Sequence, residues 1–174
     1  MRIAIINERW TAGATRCARD LEKGLSERHD VRYFPEEKAL TSIEQLEKLR
    51  EYAPDVVHLH SFYGDLPYDF MADVAQRYPT VVTPHDPRPI GDVMLKCWDC
   101  GEYQTCFRCP MIGRLKRYTL VKHEFFLRRW RKRRVHARLP KNTTFVCVSD
   151  WMRQRMLRTE LARLRIERIY NGLD

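Results

Sequence analysis

The sequence predicts a doubly wound, parallel α/β sheet, and three observations lead there. Its 174 residues fit one compact domain. Short apolar runs recur from end to end, and longer stretches with apolar residues at three- and four-residue spacing separate them. Strands alternating with helices pair in parallel through right-handed crossovers, with helices on both faces.

Ile3 to Ile6 is the first buried-strand run, and Gly13 to Arg28 sets Ala14, Cys17, Ala18, Leu21 and Leu25 on one helical face. Val31 to Phe34 is a second strand. Thr41 can cap a helix that runs through Tyr52, with Glu44 placed for a capping box. Asp55 to His60 reads as a third strand, Leu66 to Tyr78 as a helix, and Thr80 to Thr83 as a fourth strand stopped by Pro84. Thr144 to Val148 is a fifth strand, Ser149 caps a helix through about Arg163, and Ile166 to Tyr170 is a short sixth strand. The rhythm breaks between Pro84 and Arg138, an insert whose body spans about 87–138.

Hydrophobic residues at 44% and charged residues at 32% exclude a disordered or fibrous chain. Lys and Arg exceed Asp and Glu by 32 to 23, and this +9 balance favours anionic partners without choosing among nucleic acid, a membrane face and phosphorylated substrates. The amino terminus lacks signal-peptide shape, and no stretch approaches the roughly 18 apolar residues of a membrane span. The expected location is cytoplasmic, at most peripheral at the inner face of the membrane. Cysteines there are expected to be reduced.

Four of the six cysteines form two C-x-x-C pairs, Cys97 with Cys100 and Cys106 with Cys109, separated by five residues. Four thiolates satisfy tetrahedral zinc, and a site filled by protein ligands is structural rather than catalytic. Two disulfides, an iron–sulfur cluster and free thiols remain alternatives. Gly113 to Arg138 then reads as one long basic helix in which Arg128, Arg129, Trp130, Arg131, Lys132, Arg133 and Arg134 form the densest positive run. Such a helix suits an anionic membrane surface, nucleic-acid phosphates, or a solvated face whose aromatic side packs on the sheet.

In open α/β sheets ligands bind beyond the carboxyl ends of the strands. The loop Asn7 to Ala14 carries one glycine, Gly13, so neither a dinucleotide fingerprint nor a P-loop is present. His85 follows the fourth strand; the residues alone leave open a ligand contact or a bond to a neighbouring carbonyl. Asp86 can orient that imidazole or cap the next segment. His58 and His60 point to one side of their strand.

Taken together and in order, that first loop, DVVHLH at 55–60, TPHD at 83–86, VSDWMR at 148–153 and IYNGLD at 169–174 resemble the amino-terminal domain of family 4 glycosyltransferases of the GT-B type. The likeness runs nearly the whole chain. It implies a Rossmann-like domain on the acceptor side of a retaining glycosyltransferase that takes a sugar from a nucleotide-sugar donor. It implies a carbohydrate or lipid-linked acceptor, His85 at the donor sugar near the reaction centre, and substrate contacts at Gly13, His60, Asp86, Ser149 and Asn171. Where the family usually has two adjacent glycines, Ala12 stands first here and Gly13 second. Some members share a Cys-rich insert ending in Cys-Pro, as Cys109-Pro110 does. The family's donor-side pair of glutamates is not found in these residues, so the expectation is one domain over 1–174, a donor-binding domain supplied in cis or in trans, and little turnover by the chain alone. Two alternatives stand beside it: a zinc-containing nucleic-acid-binding module, and a stand-alone domain that complements a separate donor half.

Overall fold

The computed structural model describes residues 1–7, 12–34, 40–62, 66–90 and 121–172, with residues 12 and 121–129 described through their backbone. Six strands form one sheet: β1 (Arg2–Asn7), β2 (Asp30–Phe34), β3 (Val56–His60), β4 (Thr80–Thr83), β5 (Thr143–Cys147) and β6 (Arg165–Arg168). Their order is β2-β1-β3-β4-β5-β6, and every adjacent pair is parallel. The helices are α1 (Ala12–Ser26), α2 (Ser42–Tyr52), α3 (Asp69–Ala75), α4 (Val121–Arg138) and α5 (Asp150–Met156), with a 3₁₀ turn at Glu160–Arg163.

The alternation of side chains along β1 decides the layering. Ile3 and Ile5 point to one face, where they pack with Ala18 of α1 and Tyr33. Ala4 and Ile6 point to the other, into a larger core with Leu49 of α2, Phe70 and Val74 of α3, Val135 of α4, and Met152 and Met156 of α5. The chain leaves β1 for β2 on one side and then crosses to β3, so the winding direction reverses between β1 and β3. That reversal opens a crevice at the carboxyl ends of those two strands.

Local chemistry sets the helix ends. Thr41 Oγ1 accepts from the Glu44 N–H at 3.2 Å, while the Glu44 carboxylate accepts from the Thr41 N–H at 2.7 Å, a complete capping box. The α-helical part of the 66–78 stretch is shorter than the apolar spacing predicts. Pro67 has no N–H to offer, the Arg77 N–H donates to Val74 in a closing turn, and Pro79 stops the chain. The helix expected from Ser149 to Arg163 divides in two. Thr159 turns its hydroxyl back to the Met156 carbonyl at 2.7 Å and accepts from the Leu161 N–H, so the chain restarts as a 3₁₀ turn. Of the long basic helix expected over 113–138, the part from Val121 onward is described, and it is helical.

On the far side of the sheet His136, 2% exposed, bridges Tyr68 Oη at 2.6 Å and Glu160 Oε1 at 2.7 Å. Arg138 reaches Asp73 at 2.8 Å and Asp69 at 3.5 Å. These contacts fix α4 across α3. No described helix is long and apolar enough to cross a membrane.

Candidate functional site

Register brings Asn7, His60 and Thr83 into one row at the carboxyl ends of β1, β3 and β4. All three are buried, at 2%, 3% and 5% exposure, so the ends of apolar strands carry a polar row at the crevice. Each member has a partner. Asn7 Nδ2 donates to Thr15 Oγ1 at 2.8 Å and to Tyr33 Oη at 3.1 Å, which ties the first strand to α1 and β2. His58 Nε2 lies 2.7 Å from Thr83 Oγ1. His60 Nδ1 lies 3.1 Å from His85 Nε2.

The three imidazoles form a continuous array. Ring centroids of His58 and His60 are 4.2 Å apart, and those of His60 and His85 5.4 Å apart with a 22° interplanar angle. Three cations could not share this space, and burial already penalises the charged form. Desolvation, aided by His85, holds His58 down at about 4. Desolvation, aided by His58 and His85, holds His60 at about 2. Burial also lowers His85, against a smaller opposing pull from Asp86. At neutral pH all three are neutral rings, each holding one N–H and one lone pair.

Ser61 follows His60 with φ of 23°, in the left-handed region that a serine seldom occupies. Its hydroxyl and His60 Nε2 are buried with no hydrogen-bond partner among the described residues. Strained backbone and unsatisfied polar atoms at one strand end are what a ligand site holds in reserve.

The loop after β4 is braced. Both oxygens of Asp86 are engaged by Arg88: Oδ1 accepts from its backbone N–H at 2.8 Å, and Oδ2 from Nε at 2.8 Å with Nη2 at 2.7 Å. Lys132 Nζ of α4 donates to the Arg88 carbonyl at 2.8 Å. The basic helix thus steadies the turn that carries His85.

A cavity of about 620 Å³ opens on the α1 side of the sheet, with His58, His60 and Thr83 on one wall and Cys17, Asp20 and Leu21 of α1 on another. Asn171 and Gly172 lie at the same cavity, and Asn171 is exposed. Gly13 sits in the first turn of α1, exposed, and among the described residues no atom outside its chain neighbours and its own helix backbone lies within 4 Å of where a Cβ would stand. Ser149 Oγ accepts from the Met152 N–H at 3.2 Å and caps α5. His60 and His85 are thus brought into contact, whereas Asp86 and Ser149 are engaged in local structure.

Arg128 and Arg129 lie within α4. Arg131, Arg133 and Arg134 are exposed, Lys132 is half-buried, and Arg134 stacks 4.6 Å from the centroid of Trp130, which is 48% exposed. The four cysteines 97, 100, 106 and 109 lie outside the described residues. Among the described residues no group of three His, Cys, Asp or Glu is arranged to hold a metal ion. Cys147 is buried and its thiol is pushed up to about 12 by desolvation; Cys17 is half-buried at the cavity.

A model of the family described as Glycosyltransferase Family 4 matches residues 35–174. The chain belongs to glycosyltransferase family 4. Comparisons with curated proteins and with solved structures gave no match. In this family 4 domain the matched stretch includes His58, His60 and His85, while the Asn7 strand end and α1 precede it. Thr15, Tyr33 and Ser61 carry no mark in the sequence, and Asn7 and Thr83 enter it as members of the first loop and of TPHD, with no role of their own. The available signal was a polar residue closing an apolar strand, as Asn7 closes β1.

Proposed function

We propose that this domain is the acceptor-side half of a retaining glycosyltransferase that transfers a hexose from a nucleotide sugar, with His85 hydrogen-bonding the donor sugar. The observation that carries the reading is a neutral, half-buried imidazole at the end of β4, next to the switch point of a family 4 sheet. A neutral ring can donate to, or accept from, a sugar hydroxyl, which an imidazolium cannot do in both senses. Acceptor contacts are assigned to the α1 side, where Gly13, His60 and Asn171 border the crevice or its cavity. Asp86 and Ser149 contribute by shaping the loops that carry His85 and α5.

The domain supplies one side of a cleft, and the donor-binding side comes from a second domain in cis or in trans. The chain by itself is accordingly weakly active or inactive. Saturation-transfer NMR of the chain with UDP-glucose, UDP-N-acetylglucosamine and GDP-mannose tests the donor contact. Binding of at least one that His85→Ala weakens about tenfold, the cost of one good hydrogen bond, is the expected result. Affinity that is indifferent to His85 would remove it from the site.

Two accessory features belong to the same reading. Cys97, Cys100, Cys106 and Cys109 lie outside the described residues, and their four thiolates are the donor number and type that a structural zinc ion takes. The exposed Trp130, Arg131, Arg133 and Arg134 suit an anionic membrane surface at which a lipid-linked acceptor is met.

A further inference from the structure

We infer that His60 is a positioning residue: its Nδ1–H donates to His85 Nε2 and so fixes His85 as an Nδ1–H donor toward the ligand. The inference rests on the reading of His85 as a sugar contact, and it adds the direction of that contact.

The argument begins with proton counting. The Nδ1 of His60 and the Nε2 of His85 are 3.1 Å apart, so one nitrogen of this pair carries hydrogen and the other offers a lone pair. Among the described residues His60 has no second partner to choose from. The hydroxyl beside it in register, Thr83 Oγ1, is occupied by His58 Nε2 at 2.7 Å, and His60 Nε2 meets no hydrogen-bond partner among the described residues. If the His60 proton sat on Nε2, a buried N–H would be orphaned in a ring that is 3% exposed. If it sits on Nδ1, the proton is used in the bond to His85, and only a lone pair is left unsatisfied. Orphaned buried N–H groups are the rarer of the two defects.

The consequence passes through the bond. His85 Nε2 must accept, so the single proton of the neutral His85 ring is carried on Nδ1. His85 then presents a hydrogen-bond donor and keeps no free basic nitrogen. Its ligand must supply a lone pair: a sugar hydroxyl oxygen, a ring oxygen or a phosphate oxygen. The opposite arrangement would leave His85 Nδ1 bare, able to accept a proton from an acceptor hydroxyl. The tautomer of His60 therefore separates a donor from a base at the same position. Burial keeps His60 neutral throughout the physiological range, so the setting does not change with pH there.

Long-range 1H–15N correlation spectra of the imidazoles in 15N-labelled chain at about pH 7.5 read this directly, since protonated and bare ring nitrogens resonate far apart. The wild type should show both His60 and His85 as Nδ1–H tautomers, with at least about tenfold preference, the worth of one buried hydrogen bond. His60→Phe keeps a ring in the array but removes the donor, and His85 should move toward the Nε2–H form. His60→Asn places an amide N–H near the position of Nδ1, and should restore the Nδ1–H form of His85. An Nε2–H tautomer of His85 in the wild type, or one indifferent to His60→Phe, overturns the inference. Should His60→Phe fail to fold, the wild type and His60→Asn still decide. The spectra need no ligand, so tautomers as stated together with nucleotide-sugar affinity indifferent to His85→Ala would sink the sugar reading and leave the positioning role standing.

Discussion

Acidification should destabilise this domain through its buried histidines, and the size of the effect follows from their positions. An unfolded histidine takes up a proton below about 6.5. His60, 3% exposed between two other rings, stays neutral down to about 2. Between pH 8 and pH 5 the unfolded chain therefore gains proton binding at this site that the folded chain forgoes. Stability is complete above about 6.5 and falls as the pH drops. At pH 5 the deficit corresponds to about 1.5 pH units at 1.36 kcal/mol each, or about 2 kcal/mol for His60. His58, held at about 4, adds up to the same amount, discounted because its ring borders the open cavity. Glu160 is shifted in the other sense, to about 2, so the contribution of its own carboxylate is lost only below about 4.5, and its contact with His136 is common to wild type and His60→Phe and cancels between them. Urea melts at pH 8 and pH 5 should show wild type losing about 2 to 4 kcal/mol, and His60→Phe losing about 2 kcal/mol less than wild type. For a chain of this size that difference is about 4–8 °C in Tm. Equal losses in wild type and His60→Phe would refute the claim that His60 is buried in its neutral form.

Arg88→Ala frees the Asp86 carboxylate and one anchor of the His85 turn; it should cost about 1–2 kcal/mol in denaturant melts and broaden the His85 resonances, because a bidentate, partly buried pair is lost. Thr41→Ala removes half of the capping box and should lower stability by about 1 kcal/mol without altering ligand binding. Purified chain should carry about one zinc per molecule by mass spectrometry of metals, and Cys97→Ser with Cys106→Ser should abolish it. Arg131, Arg133 and Arg134 changed together to Glu should remove binding to vesicles containing phosphatidylserine, and wild-type binding should weaken as salt is raised. Salt-sensitive binding to RNA or DNA with none to vesicles would instead favour a nucleic-acid surface.

The central strands were legible because their buried runs are apolar and short, and the ends of β1 and β4 are marked by Asn7 and Pro84, whereas β6, with Ile166 its one buried residue, ends at Arg168 rather than at Tyr170. Helix lengths were less so. Apolar spacing continues through Pro67 and Thr159, where a missing N–H or a competing hydroxyl ends the ladder. Within the site, strand parity placed His58 and His60 on one side. It did not reveal that His58 would take Thr83 while His60 took His85. Those pairings join residues 25 positions apart and depend on β3 and β4 meeting with His60 opposite Thr83. The same holds for Asn7 with Tyr33, which requires β2 beside β1. The left-handed turn at Ser61 has no glycine or asparagine to announce it.

Strand order explains why neutral histidines collect where they do. Among the described helices α1 alone packs on the face bearing Ile3 and Ile5, because the crossovers after β2 bring α2, α3, α4 and α5 to the opposite core. On that face the row at the carboxyl ends, Asn7, His60 and Thr83, is buried, and the row beneath it loses burial away from α1. In one row Ile5 is fully buried, His58, Val81 and Thr144 are half-buried, and Arg165 is exposed. A row with that gradient cannot be filled by apolar residues throughout without exposing them, nor by charged ones without desolvating them. Imidazole meets both demands, since it is neutral and packable when dry and keeps hydrogen-bonding atoms where the cavity opens. The histidines occupy the middle of the gradient, and the switch point sets their strand ends against the crevice.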